Sequence, residues 1–317
     1  MTKTKSEEIT FGALLIKWQE VNAIRLKGAT KYKYENIIKS HILPQLGNYK
    51  LSEISTSSIN TFLVNKLQHG RLEGFGGLSP SYVRSISLII TSALQYAVEE
   101  EYCPPLKTKV SKPSITKKEF SILSLKNQKI LEKNIQDLPN PTKIGIMIAL
   151  YTGLRIGEIC ALSWDDIDFE TRTIFVRHTV SRVKSTNNHT KTELILDEPK
   201  TVSSKRIIPI PSKLYLFLKK YRNTSNFHFV VSYNNLFVSP RTYEARFHKV
   251  LESCKIKDLN FHGLRHTFAT RCIEAGVDIK SLSEILGHAN VSITLNTYVH
   301  SSLEMKKKQI EKLITLF

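Results

Sequence analysis

A chain of 317 residues and 36.2 kDa is long enough for two domains and buries enough surface to need no disulfide or metal staples. Hydrophobic residues at 41% and charged ones at 23% match globular proteins and exclude wholesale disorder. Lysine and arginine number 46 against 28 acidic residues, a formal charge of +18. That excess points to a polyanion, nucleic acid or an anionic membrane; a basic protein with no such partner is the plain alternative. No apolar run reaches the length of a membrane span, and MTKTKSEEIT lacks the apolar core of a secretory signal. The expected location is therefore cytoplasmic, on the chromosome. Cys103, Cys160, Cys254 and Cys272 show no CxxC spacing, which argues against a zinc site or a disulfide framework. They read as small buried apolar residues.

In chain order, residues 1–8 form a short tail. Phe11, Leu14, Leu15, Trp18 and Val21 then make one apolar face of a helix over 9–24. A second helix is expected from Thr30 to about Leu46, with Tyr34, Ile37, Ile38 and Ile42 inward and Gly47 as its stop. A third spans Ser52 to Leu67. GRLEGFGGLSPS is a loop, and Ser79–Pro80 opens a helix whose stripe is Val83, Ile86, Ile90, Leu94 and Ala97. Residues 9–102 are thus a small all-helical unit. CPPLKTKVSKPSITKK, 103–118, reads as a basic linker, either touching a phosphate backbone or simply solvated. A second domain, 119–317, begins with helices near 124–137 and 142–152. RTIFVRHTV reads as one strand, and ELILDEPKTVSSKRIIPIP as two strands around a polar turn at 199–205. Helices follow near 212–222 and 240–254, and the remainder from Phe261 is mostly helical. The tail carries Leu303, Ile310, Leu313, Ile314 and Phe317 as an amphipathic helix. The fold class is mainly α with a small β-sheet or hairpin.

Three segments carry chemistry: TGLRIGEI at 152–159, HGLRHTFATR at 262–271 and LGHANVSITLNTYVH at 286–300. Each lies near an expected helix start, where backbone N–H groups and the dipole favour an anion. His262 and Arg265 are three apart and share a helix face, and arginine suits bidentate phosphate contact. Two arginines, two histidines and a tyrosine can neutralise charge, attack and donate a proton at a phosphoryl centre. No Walker loop implies ATP. Asp165, Asp166 and Asp168 raise the question of a metal, but WDDIDF more simply caps a turn.

On these segments, residues 120–317 resemble the catalytic domain of tyrosine recombinases, especially phage and conjugative-transposon integrases. By pattern alone, the helical first unit fits that family's core-DNA-binding domain. The resemblance implies catalytic roles for Arg155, Lys200, His262, Arg265, His288 and Tyr298, the family's residue types in the family's order, with Glu158 in support. The single HxxR would be weak; the ordered set is specific. Each residue also has a plainer reading. Arg155 pairs with Glu158 at i+3. Lys200, with Lys191 and Lys205 nearby, belongs to a solvated lysine-rich turn. His262 and His288 are structural histidines, and Tyr298 is a core tyrosine. His266 and His300 are read as structural or supporting.

The resemblance implies further that Tyr298 attacks a scissile phosphate to form a 3′-phosphotyrosyl bond, with no metal and no other cofactor. Arg155 and Arg265 would hold the nonbridging oxygens, and Lys200 would protonate the leaving 5′ oxygen. His262 would assist proton transfer at the tyrosine, and His288 would bond the phosphate. The expected partner is double-stranded DNA, clamped between the two domains and held by a homotetramer on two duplexes. Its protomers would exchange C-terminal segments, with accessory DNA-bending or excision factors. Lys31, Lys33 and Lys39 are candidates to face DNA, with a solvated face as the equal reading. Many integrases of this branch carry an extra N-terminal domain for arm-type sites, which here is either naturally absent or truncated. Integration and excision of a mobile element is the leading reading. A dimer-resolving recombinase, a type IB topoisomerase and a catalytically silent DNA-binding protein are the alternatives.

Overall fold

The structure is a computed structural model that describes residues 9–24, 26, 28–114, 120–137, 140–185, 192–198, 204–298 and 311. The chain divides into two compact units, residues 1–118 with 183–192, and residues 119–182 with 193–317.

The first unit is helical: α1 (Phe11–Ala23), α2 (Gly28–Ile37), α3 (Leu43–Leu46), α4 (Thr56–His69) and α5 (Pro80–Glu99). Of the expected apolar set, Phe11, Leu14, Ile37, Ile42, Val83, Ile86 and Ile90 are fully buried, and Ile59 of α4 joins them. Ser79 caps α5 by accepting from the Tyr82 N–H, with Pro80 in the first turn. Three expectations fail. The helix expected from Ser52 begins only at Thr56, where the Ser55 hydroxyl caps it by accepting from the Ser58 N–H. Val21 is exposed, so the stripe of α1 ends at Trp18. The helix expected from 30 to 46 is interrupted by a π-helical turn over Ile38–Ile42, across which Leu43 N–H bonds to the Ile38 carbonyl. Pro44 has no N–H to give to Ser40 and its ring crowds that carbonyl, so the ladder widens before it.

In the second unit, α6 (Leu125–Asp137), α7 (Pro141–Thr152) and α8 (Ile156–Ala161) lead into short strands. α7 is apolar nearly all round and is buried as the central helix, packed by α6, α8, α9 (Ser212–Arg222), α10 (Pro240–Ser253) and α11 (His262–Glu274). The chain then runs through α12 (Ile279–Leu286) and α13 (Val291–Tyr298). The strands are β1 (Ile167–Asp168), β2 (Thr173–Val176), β3 (Thr179–Lys184), β4 (Thr192–Asp197) and β5 (Arg206–Pro209).

The expected single strand over 172–180 splits at Arg177–His178. β2 joins β1 and β5 in an antiparallel sheet of order β1-β2-β5, while β3 pairs with β4. The two apolar runs around 199–205 therefore pair with different neighbours and not with each other. The register sets Ile174 opposite Ile208 and Val176 opposite Arg206, so the buried isoleucines share a face and Arg206 enters at the strand's start. Cys160 and Cys254 are buried as expected, whereas Cys103 and Cys272 are only half-buried; all four are free.

Candidate active site

Two left-handed glycines shape the site. Gly153 ends α7 and Gly287 ends α12, both at φ 66°, where a side chain is strained. The turn after Gly153 delivers Arg155 to the start of α8. There Glu158, in the first turn, reaches back to accept the Arg155 N–H at 2.9 Å and the Arg155 Nη1 at 2.9 Å. The plain i+3 pairing is thus real, and it leaves the rest of the guanidinium partly exposed.

The end of α12 is where the arginines meet. Arg206 Nε donates to the Ile285 carbonyl at 2.6 Å, Arg265 Nη2 to Leu286 at 2.8 Å and Arg155 Nη2 to Gly287 at 3.2 Å. Three consecutive carbonyls that a helix C-terminus would leave unpaired each take a donor from a different arginine. Arg265 is 2% exposed and also bonds the Gly153 carbonyl at 2.8 Å. Burial first, then the Arg155 charge, pulls its guanidinium down to about 10.

Arg265 Nη2 donates to His288 Nε2 at 2.8 Å, so the ring proton sits on Nδ1 and is given to Thr294 Oγ1, also at 2.8 Å. Tyr298 ends α13 with its ring parallel to that of His288. Its hydroxyl lies 2.9 Å from His266 Nδ1. Burial raises the phenol above its ordinary value, and the Arg265 and Arg155 charges act against that rise. His266 is held between Phe120 and His262, with ring centroids 4.1 and 4.6 Å away. Burial, with His262 and Arg265, lowers His266 to about 4, and burial, with Arg265 first among its neighbouring charges, lowers His288 to about 4. His262 opens α11 at the exposed edge of the group, below its ordinary value through lost solvation and the Arg265 and Arg155 charges.

Arg155, Glu158, His262, Arg265, His288 and Tyr298 therefore come together. Lys200 lies outside the described residues, as do Lys191, His300 and all of 303–317 except Glu311. Lys31, Lys33 and Lys39 belong to the first unit and are exposed there, with Lys33 bonded to Ser85 Oγ. The sequence reading missed two partners. His266, read as supporting, is the histidine that touches the tyrosine oxygen. Arg206 was overlooked beside Lys205, and its only local sign was an arginine opening an apolar strand. The aspartates are locally engaged, Asp166 by Ser163 and Asp168 by Glu170 and Thr171, as a capping turn requires. Among the described residues no cluster of His, Cys, Asp or Glu fits a metal ion, and no helix is long and apolar enough to cross a membrane.

Residues 122–305 match the phage integrase family, and residues 10–68 match the phage integrase N-terminal SAM-like domain. A tyrosine recombinase XerC-like protein of Caldanaerobacter subterraneus is 29% identical over 98% of this chain and 84% of its own length. The transposase from transposon Tn916 of Enterococcus faecalis is 30% identical over 53% of this chain and 44% of its own. Among solved structures, the Tn1549 transposon integrase in complex with a circular intermediate DNA superposes with a TM-score of 0.79 at 24% identity, covering 96% of this chain and all of that one. With a matching family pattern over more than half its length, the chain belongs to the phage integrase family, the tyrosine-type site-specific recombinases.

Proposed function

We propose that the protein integrates and excises a mobile element by cutting and rejoining DNA strands through a 3′-phosphotyrosyl bond to Tyr298. The observation that carries this reading is the convergence of Arg155, Arg265, His288 and Tyr298 on the turn after α12. The similarity to the Tn916 transposase over 53% of this chain favours a mobile element. The Tyr298 oxygen bonds the scissile phosphorus and the 5′ oxygen leaves. A 5′ hydroxyl from a partner strand later reverses the step. Bond energy is kept in the phosphotyrosine, so the chemistry consumes no nucleotide and calls on no metal.

A phenol is only ~0.1% ionised at neutral pH, so its proton needs an acceptor. His262 was the sequence candidate, but His266 is the ring at the phenol oxygen. Arg155 and Arg265 hold the nonbridging oxygens and the charge that grows on them, and Lys200 protonates the leaving oxygen. Residues 9–102 bind the core DNA, 103–118 link, and 119–317 catalyse. Strand exchange involves four strands, so four protomers gather on two duplexes, the apolar stripe of 303–317 docking on the neighbour.

The test is a pool of nicked suicide duplexes drawn from candidate element junctions, resolved on a denaturing gel. The unmodified protein forms a covalent adduct. Tyr298→Phe, which removes one oxygen and keeps the ring, forms none and binds DNA as before. An adduct with Tyr298→Phe overturns the assignment.

A further inference from the structure

Glu158 is 5% exposed and serves two arginines at once. Its Oε1 and Oε2 each take a 3.0 Å hydrogen bond from Arg206, from Nη1 and Nη2. The same two oxygens take the Arg155 guanidinium and backbone N–H. Burial alone would raise this carboxyl. The Arg206 hydrogen bonds and charge, with those of Arg155, bring it below its ordinary value instead, so it stays ionised and holds both partners.

The two arginines differ in exposure. The Arg206 side chain is 6% exposed and the Arg155 side chain 36%. Four of the five Arg206 N–H donors are spent inside the protein, two on Glu158 and two on the Ile285 and Ser204 carbonyls. Arg155 keeps a face turned outward. Arg206, which opens β5, is thus tied at once to the carboxylate that orients Arg155 and to the last turn of α12 at Ile285, three residues before His288.

We propose that Arg206 is a positioning residue for DNA strand cleavage: through Glu158 it fixes the direction of the Arg155 guanidinium toward the scissile phosphate. The inference rests on the functional reading above. A lysine here keeps the charge but loses the planar fork, so it cannot serve both carboxylate oxygens and the Ile285 carbonyl together. Glu158 then turns further toward Arg155, and the guanidinium no longer faces the nonbridging oxygens squarely. What is lost is stabilisation of negative charge at phosphorus. A substrate whose scissile linkage carries no such charge does not feel the loss.

The experiment compares single-turnover cleavage of two suicide duplexes, one with an ordinary scissile phosphate and one with a neutral methylphosphonate there. On the phosphate, Arg206→Lys is expected to cleave at least about tenfold slower, with DNA affinity within about twofold of the unmodified protein. On the methylphosphonate the deficit shrinks to within about threefold. Arg155→Ala shows the same substrate dependence, and the double variant is no slower than Arg155→Ala alone, because both changes remove one function. Equal deficits on both substrates, full additivity with Arg155→Ala, or a normal rate on phosphate each overturn the proposal. If Arg206→Lys does not fold, Glu158→Gln replaces it, with the same substrate dependence expected and equal deficits again overturning it. Absence of any adduct with the unmodified protein overturns the functional reading and this inference with it, whereas an adduct that Arg206→Lys leaves unchanged overturns this inference alone.

Discussion

Arg265 carries two burdens, one chemical and one structural. It is buried, and it satisfies the Gly153 and Leu286 carbonyls. Arg265→Ala therefore strands two buried acceptors at about 1–3 kcal/mol each, a loss visible in a denaturant melt. Arg265→Lys saves part of that stability yet should slow cleavage by on the order of a hundredfold, since an ammonium cannot bond His288, two carbonyls and a phosphate in one plane. The histidines give a pH signature. His266 and His288 are each lowered to about 4 in the fold, against about 6.5 unfolded. Between those values the unfolded chain binds more protons, so stability is fully present above about pH 6.5 and is lost progressively as pH falls toward 4. Urea melts from pH 7 to 4 should show that slope, and replacing both histidines by glutamine should flatten it. The identities of Arg155, Arg265, His288 and Tyr298 were legible because each stands in a distinctive local string. His266 was legible as a supporting residue in the same string as Arg265, but not its contact with Tyr298, and Arg206 stands in no such string, its partner Glu158 being 48 residues away in sequence.

Among the elements, helices with a strong apolar stripe were legible and sheet pairing was not. The stripe of α5 is its burial pattern. By contrast β4 and β5 are both short apolar runs, and nothing in either specifies that one seeks β3 and the other β2. The π-helical turn was readable only from Pro44, because Tyr34, Ile37, Ile38 and Ile42 before it already suggest a regular helix. Gly287 shows how much one turn can hold. Its φ of 66° disfavours any side chain, and an added Cβ would lie 3.0 Å from the Arg206 Cδ and Nη1. Gly287→Ala should therefore cost at least about 1 kcal/mol of stability. It should also depress cleavage by more than its effect on the melting temperature accounts for, which parallel melts and adduct assays will read.

For the whole molecule, the charge of +18 decides how DNA is held. If about six phosphates are neutralised, affinity should fall on the order of 10³-fold between ~50 and ~200 mM salt. Titrations of a labelled duplex at several salt concentrations give the slope, and a flat response would mean that the basic surface is not the DNA-binding surface. The proline- and lysine-rich stretch at 103–118 is the compositional sign on which the expected division at 118/119 rests, whereas nothing in composition marks residues 183–192, which group with the first unit.

The three carbonyls at the end of α12 also constrain chain length. Ile285, Leu286 and Gly287 each answer to a different arginine. One residue inserted between Leu286 and His288 would offset the Gly287 carbonyl from Arg155 and carry His288 away from Arg265 in the same stroke. The glycine-rich 70–77 segment, with Phe75 fully exposed, bonds within itself, the Arg71 N–H to Gly76 and its guanidinium to Phe75, so an added residue there leaves the arginines of the site in place. Descendants of this chain can lengthen there, while the four residues from 285 to 288 must keep their count.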